Sequence, residues 1–132
     1  MKRADLHDLF ARERDAFAEA FPDVADARLR VVGQRCPHGG TRCARRDLAY
    51  ADWDALEVVL AERALRLPRA NVLGLLRHEL GHLADPTPEA RGAEQRADDI
   101  AQSVTGRKIR YDARMIQTVG PGTYPRPRQL HR

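Results

Sequence analysis

The feature that most constrains this chain is the stretch from about Pro68 or Arg69 to Ala84, which reads as a single helix closed by Asp85-Pro86-Thr87-Pro88. Inside it stands His78-Glu79-Leu80-Gly81-His82. Residues four apart on a helix lie about 40° apart around its axis, so both imidazoles leave the same face. Val72, Leu73, Leu76, Leu80, Leu83 and Ala84 form the main apolar stripe on the opposite side. The histidines are therefore expected to line a cleft in front of a helix whose back is buried, not to be satisfied core residues. Gly74 and Gly81 fall beside the histidine face, although each costs a helix up to about 1 kcal/mol against alanine. Their missing side chains leave room for a ligand or a neighbouring segment.

Two imidazoles at this spacing can bind one Zn²⁺, and Glu79, one position on, flanks the metal as a general base acting on a water the metal activates. A catalytic zinc site needs a third protein ligand and an open fourth position. A second helix is expected from about Pro88 to Thr105, with Gly106 as its stop. Ala93, Ala97, Ile100, Ala101 and Val104 form its apolar stripe, Glu94 stands at the edge of that stripe, and Asp98 lies about 40° further round. Glu94 is assigned as the third ligand and Asp98 as the acceptor that orients one imidazole. Asp85 is a rival ligand, but three residues past His82 on the same helix it closes a tetrahedron poorly; Glu89 and Asp99 rank below Glu94 as well.

H-E-x-x-H followed by E-x-x-x-D on the next helix resembles the gluzincin clan of zinc metallopeptidases, and Arg77 to Asp85 with Ala97-Asp98-Asp99 is similar to its compact phage and bacterial members. The match spans about residues 68 to 105. The gap between His82 and Glu94 is shorter than in the larger members, and nothing matches their separate C-terminal domain. The resemblance implies a minimal zincin-like α+β fold, with an N-terminal helix and a short sheet whose edge strand aligns an extended peptide. Glu57 to Leu60 is the candidate for that strand. It also implies hydrolysis of peptide bonds in a protein or peptide substrate.

Around the motif, Leu6, Phe10, Phe17 and Phe21 place an apolar face on a helix over residues 3 to 21, stopped by Pro22-Asp23. Arg28 to Gly33 alternates as a half-buried strand, Leu48 to Trp53 fits neither period cleanly, and Glu57 to Leu60 is short, β-branched and apolar. Residues 61 to 67 suit a helical turn, and Lys108 to Tyr111 could form a strand. From Gly120 the prolines leave an extended tail carrying Arg126, Arg128 and Arg132, which could lie across the cleft as a cover. Tyr111 and Tyr124 are the first candidates to stabilise the oxyanion formed in amide hydrolysis, followed by His131 and Arg110.

The chain of 132 residues has the size of one domain, with 42% hydrophobic residues to fill its core. Its 32% charged residues and short apolar runs exclude a membrane span, and charges near the start break up any signal-peptide core, so the expected compartment is the cytoplasm. Cys36 and Cys43 are too few for a disulfide scaffold; their loop holds free thiols, a single disulfide or a minor metal site. A net charge of +4 permits contact with nucleic acid. The arginines lack the interleaved aromatics of a single-strand groove, so a DNA- or partner-associated zinc protein is the second reading, with a catalytically silent domain as the third.

Overall fold

The computed structural model describes residues 1–33, 48–88 and 90–109. Within them the chain forms a small α+β fold with three α-helices and a three-stranded mixed sheet. Helix α1 spans Arg3–Ala20 and buries Leu6, Leu9, Phe10 and Phe17, the face its apolar period marks out. It ends where Pro22 opens a 3₁₀ turn over Pro22–Asp26.

Strand β1, Arg28–Val32, runs parallel to β3, Glu57–Ala61, with Arg28 opposite Glu57 and Val32 opposite Ala61. Strand β2, Ala49–Asp52, pairs antiparallel with β3, placing Ala49 opposite Leu60. The order is β1-β3-β2, so Glu57–Leu60 lies in the central strand and not at the edge expected from the sequence. The reason is compositional: Val58-Val59-Leu60 is an unbroken apolar run, and all three are fully buried, which suits a strand flanked by others better than an edge. Among the described residues the edges of the sheet are β1 and β2. On β1 the exposed Arg28 and Arg30 mark that edge, and Arg30 pairs with Glu57 at 3.0 Å.

The β2–β3 connection is a tight turn over residues 53–56, in which Asp52 Oδ1 accepts the Ala55 N–H at 3.0 Å. Leu56 closes it with a φ of 55°, a conformation branched side chains seldom adopt. After a second 3₁₀ turn, Glu62–Arg66, helix α2 runs over Arg69–Ala84 as expected. It packs on β2 and β3 and against both other helices. Arg77 ties it to α1 through Glu13 at 2.6 Å. The core lies between α1, the sheet and α2, with Phe17, Leu60, Leu75, Leu76 and Leu80 among its largest members.

Helix α3 covers Ala93–Thr105, starting five residues later than Pro88. Gly92, at φ 78°, occupies the left-handed region immediately before it, and Gly106, at φ 71°, ends it the same way. Lys108 and Ile109 form no strand, and the remainder of that expected strand lies outside the described residues. No helix among the described residues is long and apolar enough to cross a membrane.

Candidate metal centre

Helix α3 packs against α2, and Gly81 lies tight against its backbone. A Cβ built there would stand 2.8 Å from the carbonyl carbon of Ala97 and nearer still to its oxygen. The space left beside the histidine face is thus filled by the next helix. This explains a difference from the sequence expectation: His78, Glu79 and His82 are 1%, 0% and 2% exposed. Opposite its own apolar stripe α2 meets α3, so the helix is buried on the histidine side as well, and the two histidines are covered rather than exposed.

What α3 brings to that face is Glu94 and Asp98, one turn apart. His78 Nε2 and His82 Nε2 are 3.1 Å apart, and Glu94 Oε1 lies 3.0 Å from the first and 3.3 Å from the second. Ligand atoms about 2.0 Å from a tetrahedral ion stand roughly 3.3 Å from one another, so the three separations are those of one face of such a tetrahedron. Two imidazole nitrogens and a carboxylate oxygen are also the donor types that a borderline divalent metal takes. His78, His82 and Glu94 are therefore compatible with a metal site.

The fourth named residue meets His78 from its other side. His78 Nδ1 is 2.7 Å from Asp98 Oδ1. With Nδ1–H donating to that carboxylate, Nε2 is turned toward Glu94 and His82: it donates its N–H to Glu94 when the ring is protonated and offers a lone pair only when the ring is neutral. The rings of His78 and His82 meet edge to face, with centroids 4.7 Å apart.

The electrostatics follow from crowding two bases and two acids in a buried place. Burial alone pulls the His78 imidazole down, but its hydrogen bonds to Asp98 and Glu94 outweigh that and push its pKa up to about 10. His82 goes the other way: burial holds it below its ordinary value, and the neighbouring charge on His78 adds to the effect despite the hydrogen bond to Glu94. Burial raises Glu94, yet hydrogen bonds from both histidines bring it down to about 2. In the metal-free protein one proton on His78 thus offsets the Glu94 carboxylate, in the place where a metal cation would do so.

Asp85, the rival ligand, is engaged elsewhere. Its Oδ2 pairs with Arg96 Nε at 3.0 Å, and its Oδ1 accepts from the Thr87 N–H at 2.9 Å and the Thr87 hydroxyl at 3.1 Å. Trp53 Nε1–H donates to the Asp85 carbonyl at 3.1 Å. Arg96 continues into the linker, donating to the carbonyls of Thr87 at 2.8 Å, Ala90 at 2.9 Å and Arg91. Sequence reasoning missed Arg96 and Trp53. The available signals were a carboxylate just past the motif helix and an arginine placed between the two acidic residues of α3.

Asp99 bonds Gln95 at 2.9 Å on the exposed side of α3 and takes no part in the centre. Tyr111, Tyr124, Arg110, His131, Glu89, Cys36, Cys43 and the tail from residue 119 lie outside the described residues. Comparison with family models, curated proteins and solved structures finds no match to this chain.

Proposed function

We propose that the chain is a zinc-dependent metallopeptidase of minimal gluzincin type, hydrolysing peptide bonds of a protein or peptide substrate in the cytoplasm. The observation that carries this reading is the convergence of His78 Nε2, His82 Nε2 and Glu94 Oε1 within 3.0–3.3 Å, beside a glutamate in the H-E-x-x-H position. A zinc ion held there would supply Lewis acidity, making a water more acidic and polarising the scissile carbonyl. Asp98 keeps the proton of His78 on Nδ1, so that Nε2 stays a donor atom. Glu79 is the general base. Its carboxylate accepts a proton from the attacking water as the C–O bond forms and returns it to the leaving amine as the C–N bond breaks. Tyr111 and Tyr124 remain the candidates for oxyanion stabilisation.

The test pairs metal analysis with digestion of a diverse peptide pool. Wild type should carry one zinc per chain and cleave, whereas Glu79→Gln should keep the zinc and lose turnover by roughly 10²- to 10⁴-fold. A variant that holds zinc and cuts as well as wild type removes Glu79 from the mechanism.

One observation favours a second reading, in which the metal cross-links two helices of a DNA- or partner-associated module: both histidines are almost wholly buried. In that case zinc is present, no peptide is cut, and any nucleic-acid affinity falls steeply between low and moderate salt.

A further inference from the structure

Glu94 stands in the first turn of α3, where a helix is least constrained, and α3 has no side-chain cap. Gly92 before it contributes no side chain to hold the turn. Besides the bonds of Glu94 to the histidines, Arg96 ties this turn to Asp85 just past α2 and to the linker carbonyls of Thr87, Ala90 and Arg91. Residues two apart on a helix project about 200° apart, so Arg96 grips the linker while Glu94 faces the histidines. Asp85 is itself anchored, buried at 1% exposure and fixed through its carbonyl to Trp53 of the β2–β3 turn.

We propose that Asp85 and Arg96 are positioning residues for the metal centre, a clamp that sets Glu94 at binding distance from His78 and His82. The proposal rests on the metal reading above and adds the device that holds its third ligand. The clamp touches neither metal nor substrate; it acts only through Glu94. It has a second consequence: the β2–β3 turn, the linker and the first turn of α3, which carries Glu94, share one chain of hydrogen bonds, Trp53 to Asp85 to Arg96.

Zinc dissociation constants measured on the full chain by chelator competition test this in a double-mutant cycle. Arg96→Gln and Asp85→Asn should each weaken zinc binding 10- to 100-fold in the wild-type background. In a Glu94→Ala background the same changes should move it by less than about 3-fold, because the ligand they position is gone. The visible spectrum of the cobalt-loaded Arg96→Gln protein should shift toward that of Glu94→Ala. Equal losses in both backgrounds, or wild-type affinity in either clamp variant, would overturn the proposal. If Arg96→Gln shows no cooperative unfolding transition, Arg96→Lys decides: it keeps the charge opposite Asp85 without the fork to the carbonyls, and an intermediate loss that vanishes with Glu94→Ala supports the clamp, while any other pattern overturns it. Wild type without stoichiometric zinc overturns the metal reading first, a failure read from wild type alone.

Discussion

Gly81 and Ala97 set the distance between the motif helix and the ligand helix: the backbone of Ala97 occupies the place of the side chain Gly81 lacks. In Gly81→Ala, better helix propensity contributes about 1 kcal/mol, but a methyl group forced against backbone costs about 1–3 kcal/mol. The clash should win, for a net loss of up to about 2 kcal/mol and weaker zinc binding as Glu94 moves outward. Chemical denaturation of the metal-free protein checks the first. A stabilised variant would show that α3 is not seated where described.

Glu94 and Asp98 stand one turn apart but do different work. Glu94→Ala removes a donor atom and should reduce zinc affinity by more than about 100-fold. Asp98→Asn leaves three donors and should cost about 10- to 100-fold. Chelator competition measures both, and the reverse ranking would exchange the two roles.

The metal-free protein should show a stability maximum near pH 6.5. His78, raised from 6.5 to about 10, contributes stability that is complete below 6.5 and is lost as pH rises through 10. His82, held low by burial, works against the fold once pH drops below its ordinary 6.5, because the unfolded chain then takes up a proton the folded one refuses. Glu94, lowered from 4.5 to about 2, gives stability present above 4.5 and lost as pH falls toward 2. Zinc must displace the proton of His78, so its affinity should climb across the same alkaline range in which the metal-free fold weakens. Denaturant midpoints in chelator from pH 5 to 10, beside zinc titrations, follow both curves; a flat metal-free profile above pH 7 contradicts the assignment.

Trp53→Phe keeps an aromatic ring but removes the bond to the Asp85 carbonyl. The expected loss is about 1 kcal/mol, seen as a lower denaturant midpoint at unchanged slope. An unchanged midpoint would mean that the bond contributes nothing to stability.

The parts of this molecule legible in the sequence are those set by local period. The apolar spacing of Leu6, Phe10 and Phe17 marks α1, and the run to Ala84 marks α2. Glu94 and Asp98 are legible because their spacing puts both beside one face of α3. The rest depends on partners distant in the chain. The stripe of α2 shows only its own apolar face, so burial of His78 and His82 beneath α3 is invisible to it. β2 is too short, and too buried on both faces, to alternate, and the apolar run of β3 suits a central place without naming the strands that flank it. The start of α3 moved because Arg96 draws the linker carbonyls to itself, an interaction reaching as far as 11 positions back, to Asp85.

The separation of the proposed ligands along the chain carries a kinetic consequence. His82 and Glu94 are 12 positions apart, whereas Arg28 on β1 pairs across to Glu57 on β3. Bringing together the ends of the shorter loop costs roughly 1 kcal/mol less chain entropy. The helical hairpin thus closes at a lower entropic cost than the β1–β3 pairing, and a metal captured by it would bind a nascent structure before β1 has docked on β3, making the ion a nucleus for folding as well as a reagent.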